Sequence, residues 1–157
     1  MNFYYRSNPG RWVVRPAVFL GFILLLTACA KVDFVDATGK GYALSDLRGK
    51  YLFVNYWATW CAPCIKEIPE LNKLSREHRD SLTILGVDFD QVEGEELNKE
   101  IAKMKIDFPV FASEPSGLLG VKIPEVLPTT YVFDPSGNLI ATLVGPQTET
   151  TLIAYLE

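Results

Sequence analysis

Two cysteines stand three positions apart in Trp60-Cys61-Ala62-Pro63-Cys64, directly behind the apolar run from Tyr51 to Trp57. That spacing suits thiol–disulfide exchange, in which one thiolate attacks a disulfide and a second thiol resolves the mixed disulfide. The two sulfurs must then be close together yet differently exposed. A strand over 51–57 feeding a helix from about Pro63 to His78 meets both conditions. Cys61 falls at the first turn, where unpaired amide N–H groups and the helix dipole lower a thiol pKa. Cys64 falls one turn deeper. Cys61 is therefore assigned as the nucleophile and Cys64 as the resolving thiol. Pro63 sits within the first turn, where its missing N–H costs little.

The same spacing is also half of a zinc site, but a tetrahedral structural site needs four ligands. The further candidates are His78, more than three turns along the same helix, and Cys29. Zinc and a purely structural disulfide are the minor readings, and no metal is assigned. No cofactor is expected either.

The elements that must position this pair follow from pattern. The 51–57 run is too short and too apolar for a surface helix, and reads as a central buried strand. Along the helix, Ile65, Ile68, Leu71 and Leu74 recur at helical spacing. Leu82–Val87 is a second buried strand, and Gly94–Lys105 an amphipathic helix with Leu97, Ile101 and Met104 on its apolar side. Phe108–Phe111 starts a third short strand, followed by a short helix over 115–120. Residues 129–134 and 139–144 flank Pro135-Ser136-Gly137-Asn138 as a hairpin. A last helix covers 148–156. Before all of these, Phe34–Asp36 and Tyr42–Leu44 pair across a turn, and Ser45 caps a brief helical turn that Gly49 ends. The order mixes parallel crossovers with an antiparallel hairpin, which gives a small three-layer domain.

Residues 1–28 contain Arg6, Arg11 and Arg15 and no acid, whereas the rest holds 12 Lys and Arg against 19 Asp and Glu. An acidic body without a basic tract argues against nucleic acid as the partner, because a phosphate backbone needs compensating positive charge. After Arg15, an apolar stretch of about a dozen residues ends in small residues, as an export signal does; it is short for a membrane-spanning helix. Its end, Leu26-Thr27-Ala28-Cys29, resembles the lipobox of bacterial lipoproteins, in which the cysteine is lipidated and becomes the first mature residue. The alternative is an uncleaved anchor. The expected division is a lipoprotein signal peptide over 1–28 and a folded domain over 29–157, held outside the cytoplasm by a lipid membrane through Cys29. In that pattern an aspartate after the cysteine favours the inner membrane. Ala30 stands there, pointing toward the outer membrane where an organism has two.

Three blocks carry a wider resemblance: Asp33-Phe34 with Leu44–Lys50, Val54–Cys64, and Leu127–Gly137. Together they are similar to the thioredoxin superfamily, and more closely to the membrane-tethered thiol–disulfide oxidoreductases related to TlpA and ResA. The resemblance implies an α/β three-layer sandwich, a thioredoxin-like fold with a central mixed β-sheet and an N-terminal β-hairpin extension. It makes Pro128 the cis-proline that faces the dithiol and holds the Leu127 backbone where an incoming chain can pair as an added strand. Trp60 resembles the surface aromatic beside the nucleophile. Trp60, Ala62, Pro63, Leu127 and Pro128 form the expected substrate-contacting set.

Asn55 stands where thioredoxin has a buried aspartate, and an amide cannot take a proton at neutral pH. The TlpA- and ResA-like proteins often share this asparagine and carry a glutamate one turn after the second cysteine, and Glu67 occupies that position. The resemblance makes it the expected replacement, at i+3 from Cys64, where partial burial would raise its pKa toward a useful value. Asp88, at the end of the second strand, is a supporting residue with Asn55. By resemblance the function is disulfide reduction outside the cytoplasm. Electrons come from a membrane electron-donor protein and go to a protein disulfide substrate such as apocytochrome c. Two other classes remain open. One is a redox-inactive binding module on the same scaffold. The other is a peroxiredoxin-like enzyme, whose single early cysteine in a Pro-rich loop has no counterpart here.

Overall fold

The computed structural model describes residues 31–156; the segment 1–28 and Cys29 lie outside the described residues. Strand β3 (Tyr51–Trp57) is buried over six of its seven positions. An apolar run without alternation is what a strand covered on both faces requires. It pairs in parallel with β4 (Leu82–Asp88), which needs a crossover, and helix α1 (Ala62–Glu77) supplies it. On its other edge β3 pairs antiparallel with β5 (Thr129–Phe133), and β5 with β6 (Leu139–Val144) through the expected hairpin. The sheet order is β4-β3-β5-β6, with a separate two-stranded hairpin of β1 (Phe34–Val35) and β2 (Gly41–Tyr42). This is the thioredoxin-like mixed-sheet fold with an N-terminal hairpin.

The period of two along β3 divides the core. Phe53 and Trp57 face α1, α2 (Gly94–Met104) and α4 (Glu149–Ile153), packing with Ile68, Leu71, Leu74, Leu97 and Leu152. Leu52, Val54 and Tyr56 point the other way, to Leu47, Phe111, Tyr131 and Phe133, under the hairpin and α3 (Ser116–Leu119). Asn55 shares the α1 face with Phe53 and Trp57, and this placement decides the site.

Several local expectations change. The stretch 108–111 makes only isolated bridges, Val110 with Gly86 and Phe111 with Asp36. Pro109 has no N–H to give, so pairing there cannot extend into a ladder. The turn after β2 is a 3₁₀ turn over Leu44–Leu47 capped by Ala43, whose N–H is met by the Asp46 carboxylate at 3.3 Å, so Ser45 lies inside it. The last helix stops at Ile153. Ile65, expected on the apolar face of α1, is 50% exposed, while Glu67 and Asn72 are buried in its place. Among the described residues, no helix is long and apolar enough to cross a membrane.

Candidate active site

The strand-to-helix corner sets the two sulfurs apart in environment. Cys61 is the N-cap of α1, with extended backbone, and its sulfur accepts the Cys64 N–H at 3.2 Å. This contact satisfies one of the unpaired amides of the first turn and would stabilise a thiolate there. Cys61 is 5% exposed and Cys64 fully buried. The two are joined as a disulfide with Cα atoms 5.2 Å apart. Ala62 and Pro63, between them, are exposed, and Pro63 stands in the first turn where no intrahelical N–H is required.

Beneath the pair lies a buried polar cluster assembled from four parts of the chain. Glu67, one turn after Cys64 on the same helix face, is 2% exposed. Its Oε1 accepts the Asn55 Nδ2–H at 2.7 Å, and its Oε2 accepts the backbone N–H of Gln147 at 2.9 Å. Asn55 Nδ2 also donates to Thr130 Oγ1 at 3.0 Å, across the rung where β3 and β5 pair these two residues. Burial pushes the Glu67 carboxyl up to about 7, against the pull of the Gln147 amide and then the Asn55 amide, both of which favour the ionised form. A carboxyl that titrates near neutrality one helical turn from a buried cysteine has the pKa a proton acceptor needs under physiological conditions.

The rim is built differently. Trp60 is 63% exposed, yet its indole N–H donates to Asp90 at 2.8 Å and its ring stands edge-on to Phe89. The Leu127–Pro128 peptide bond is cis. Thr129, next along, pairs with Tyr56 near the end of β3, so Pro128 lies at the sheet end that carries the dithiol corner. The Pro128 carbonyl accepts the Gly145 N–H at 2.9 Å, and Leu127 packs against both halves of the core. Val126, beside them, and Ile123 are exposed apolar residues.

Asp88 sits at the last rung of β4, opposite Trp57, and is buried. Its carboxylate accepts the Val92 N–H at 2.8 Å and lies against Glu100 of α2; among the described residues its hydrogen bonds run to that side and not to the dithiol. Burial first, then Asp90, raises its pKa. His78 caps the far end of α1, about 25 Å from Cys61 at helical rise. It lies near Glu77 and Glu149, whose carboxylate already takes Lys73 Nζ at 2.6 Å. The dithiol and His78 are thus not brought together. Sequence reasoning missed Thr130, Gln147, Phe89, Asp90 and Glu100. Thr130 had a signal, since it falls opposite Asn55 once the strands are paired. Gln147 had none, because it contributes only its backbone.

A family model described as the AhpC/TSA family matches residues 27–142. The chain is 33% identical over 123 residues to the thiol–disulfide oxidoreductase ResA of Bacillus cereus, covering 78% of this chain and 70% of that one. Its fold is similar to a thiol:disulfide interchange protein of the thioredoxin family from Chlorobium tepidum, with TM-score 0.66, 25% identity, and 82% and 97% of the two chains covered. It is also similar to the exposed lipoprotein thioredoxin of Streptococcus pneumoniae, with TM-score 0.64, 26% identity, and 78% and 95% covered.

Proposed function

We propose that this chain, which belongs to the AhpC/TSA family and is a thiol–disulfide oxidoreductase, works as a lipid-tethered reductase of disulfides in exported proteins. The observation that carries this reading is the asymmetry of the dithiol: Cys61 at a helix cap, Cys64 fully buried, and a buried carboxyl one turn further on. In the reduced enzyme the Cys61 thiolate attacks a substrate disulfide and expels one substrate thiolate. Glu67 then takes the proton of Cys64. The Cys64 thiolate attacks Cys61 Sγ, closes the Cys61–Cys64 disulfide and expels the second substrate sulfur. The two substrate thiolates take up protons, one of which Glu67 returns. The substrate leaves as a dithiol, and the enzyme awaits two electrons from a membrane donor. Asn55 holds the Glu67 carboxylate, and Asp88 supports the site only indirectly, through the loop that carries Phe89 and Asp90 beside Trp60. Trp60, Ala62, Pro63, Leu127 and Pro128 contact the substrate.

The mature chain begins at Cys29, after removal of residues 1–28, and continues as one domain to 157. Support for the lipid anchor comes from Leu26-Thr27-Ala28-Cys29 and from the likeness to a lipoprotein thioredoxin. Apocytochrome c is a fitting substrate, because its cysteine pair must be reduced before haem is attached. The acidic body of the chain would also draw a basic partner.

A Cys64→Ser variant tests the reading. Its Cys61 should hold substrates from native membranes as mixed disulfides, and their masses name the pathway. Failure to trap any protein would overturn the reductase reading. An unmodified peptide running through residues 20–35 of the native protein would overturn the lipid anchor.

A further inference from the structure

The turn between β6 and α4 reaches into the site at two points. Gly145 takes φ +92°, a left-handed conformation that a side chain would strain, and so bends the chain at the end of β6. Its N–H meets the Pro128 carbonyl at 2.9 Å, and two residues later the Gln147 N–H meets Glu67 Oε2 at 2.9 Å. The turn is held in place by its own bonds. Gln147 Nε2 donates to the Gly145 carbonyl at 2.9 Å, and Thr151 Oγ1 donates to Gln147 Oε1 at 3.2 Å. Farther along, α4 is fastened to α1 by Lys73–Glu149 and by the Glu149 N–H on Glu70 at 3.2 Å. Hence the Gln147 amide does not follow Glu67 as a mobile side chain would.

We propose that the Gln147 backbone amide is a positioning group for the exchange reaction, holding the Glu67 carboxylate in the orientation from which it exchanges a proton with Cys64. Through Gly145 the same turn links that carboxylate to the Leu127–Pro128 segment. This rests on Glu67 being the proton acceptor. The chemistry is that of a backbone donor that bonds the ionised carboxyl more strongly than the protonated one. When Glu67 takes the Cys64 proton, the donor loses most of its electrostatic partner, and when the proton leaves, the donor draws the carboxylate back. Two donors from opposite sides, Asn55 on β3 and Gln147 on the turn, leave the carboxylate one orientation. The titratable neighbours on α1 are Cys64 before it and Glu70 after it. β3, β5 and the turn face it with the neutral Asn55, Thr130 and Gln147.

The test is the pH profile of disulfide reduction by the full chain, with oxidised glutathione as probe, beside a carboxyl infrared titration of Glu67. The parent shows an inflection near pH 7, where burial places Glu67. Gln147→Pro removes the N–H and moves that inflection up by about one pH unit. Gln147→Ala keeps the N–H; it removes the two side-chain bonds of the turn but leaves the Gly145 bond to Pro128 and the α4–α1 contacts, so the inflection moves far less than in the proline variant. Should the proline variant fail to fold, replacing residue 147 by its α-hydroxy acid, which exchanges the amide for an ester, removes the same donor and should give the same shift. Glu67→Gln abolishes the inflection, and adding Gln147→Pro to it moves nothing further. If Glu67→Gln retains the inflection, both the acceptor reading and this inference fall. If Glu67→Gln abolishes it but loss of the Gln147 donor leaves it unmoved, only the inference falls.

Discussion

Glu67 and Asp88 are two buried carboxyls near the same end of the sheet, and their surroundings give them different work. Glu67 meets two N–H donors, from Asn55 and Gln147, and lies on the helix face of Cys64. Asp88 meets the N–H of Val92 at 2.8 Å, the Asp90 backbone and a second carboxyl, Glu100. Its Oδ1 and the Oε2 of Glu100 are buried with no partner among the described residues. Burial raises both acids. Glu67 is raised while held by donors, the setting that the proposed proton acceptor requires. Asp88 anchors the loop that leads into α2. Burial of a carboxyl therefore does not by itself mark a catalytic role; the groups facing it do.

The comparison predicts unequal kinetic consequences. Glu67→Gln should slow disulfide reduction at pH 8 by about 10²-fold, the usual share of a general base. Asp88→Asn should change it less than about threefold, as expected for a group off the proton path. Stopped-flow rates on the two reduced variants check this, and equal losses would break the distinction.

Stability sharpens the same contrast. Glu67 titrates near 7 in the fold against a reference value of 4.5, so between those pH values the native state binds more protons than the unfolded one. Its contribution is full below about pH 4.5 and is lost as pH rises through 7, a span of about 3 kcal/mol. Denaturant midpoints of the oxidised protein should fall over that window, and Glu67→Gln should flatten the fall. Asp88→Asn should instead raise stability at pH 8 by about 1 kcal/mol, because an amide N–H can meet the unpaired Glu100 oxygen.

The sequence made Cys61 and Cys64 legible because their spacing sets both in the first turn of a helix, and it made β3 legible because burial on both faces removes alternation. Glu67 was legible only through the family resemblance, since helical spacing alone groups it with the polar side of α1. Asn55 was identified by resemblance, and its contact with Glu67 then follows from the parity it shares with Phe53 and Trp57. Ile65 was misplaced for a related reason. Spacing marks a stripe, but the dithiol corner and Glu67 claim the buried side of the first turns and leave Ile65 outside. Gln147 was invisible because a backbone amide has no residue type. Asp90 was invisible because its contact with Trp60 joins two loops thirty residues apart.

Asp90 is the third acid at this end of the fold, and its effect should be the smallest. It does not face the buried thiol; it holds the exposed indole of Trp60 by one surface hydrogen bond, with Phe89 against the ring edge. Such a bond contributes about 1 kcal/mol, so Asp90→Ala should reduce the ratio of held to free Trp60 orientations about fivefold. If Trp60 contacts substrate, KM for a protein disulfide rises by up to about that factor while kcat stays level, because loss of ordering on the rim leaves Cys64 and Glu67 untouched. Trp60→Ala should raise KM at least as far, and combining the two should add nothing, since one acts through the other. A drop in kcat with unchanged KM for Asp90→Ala would place this acid with Glu67 and dissolve the separation between rim and interior.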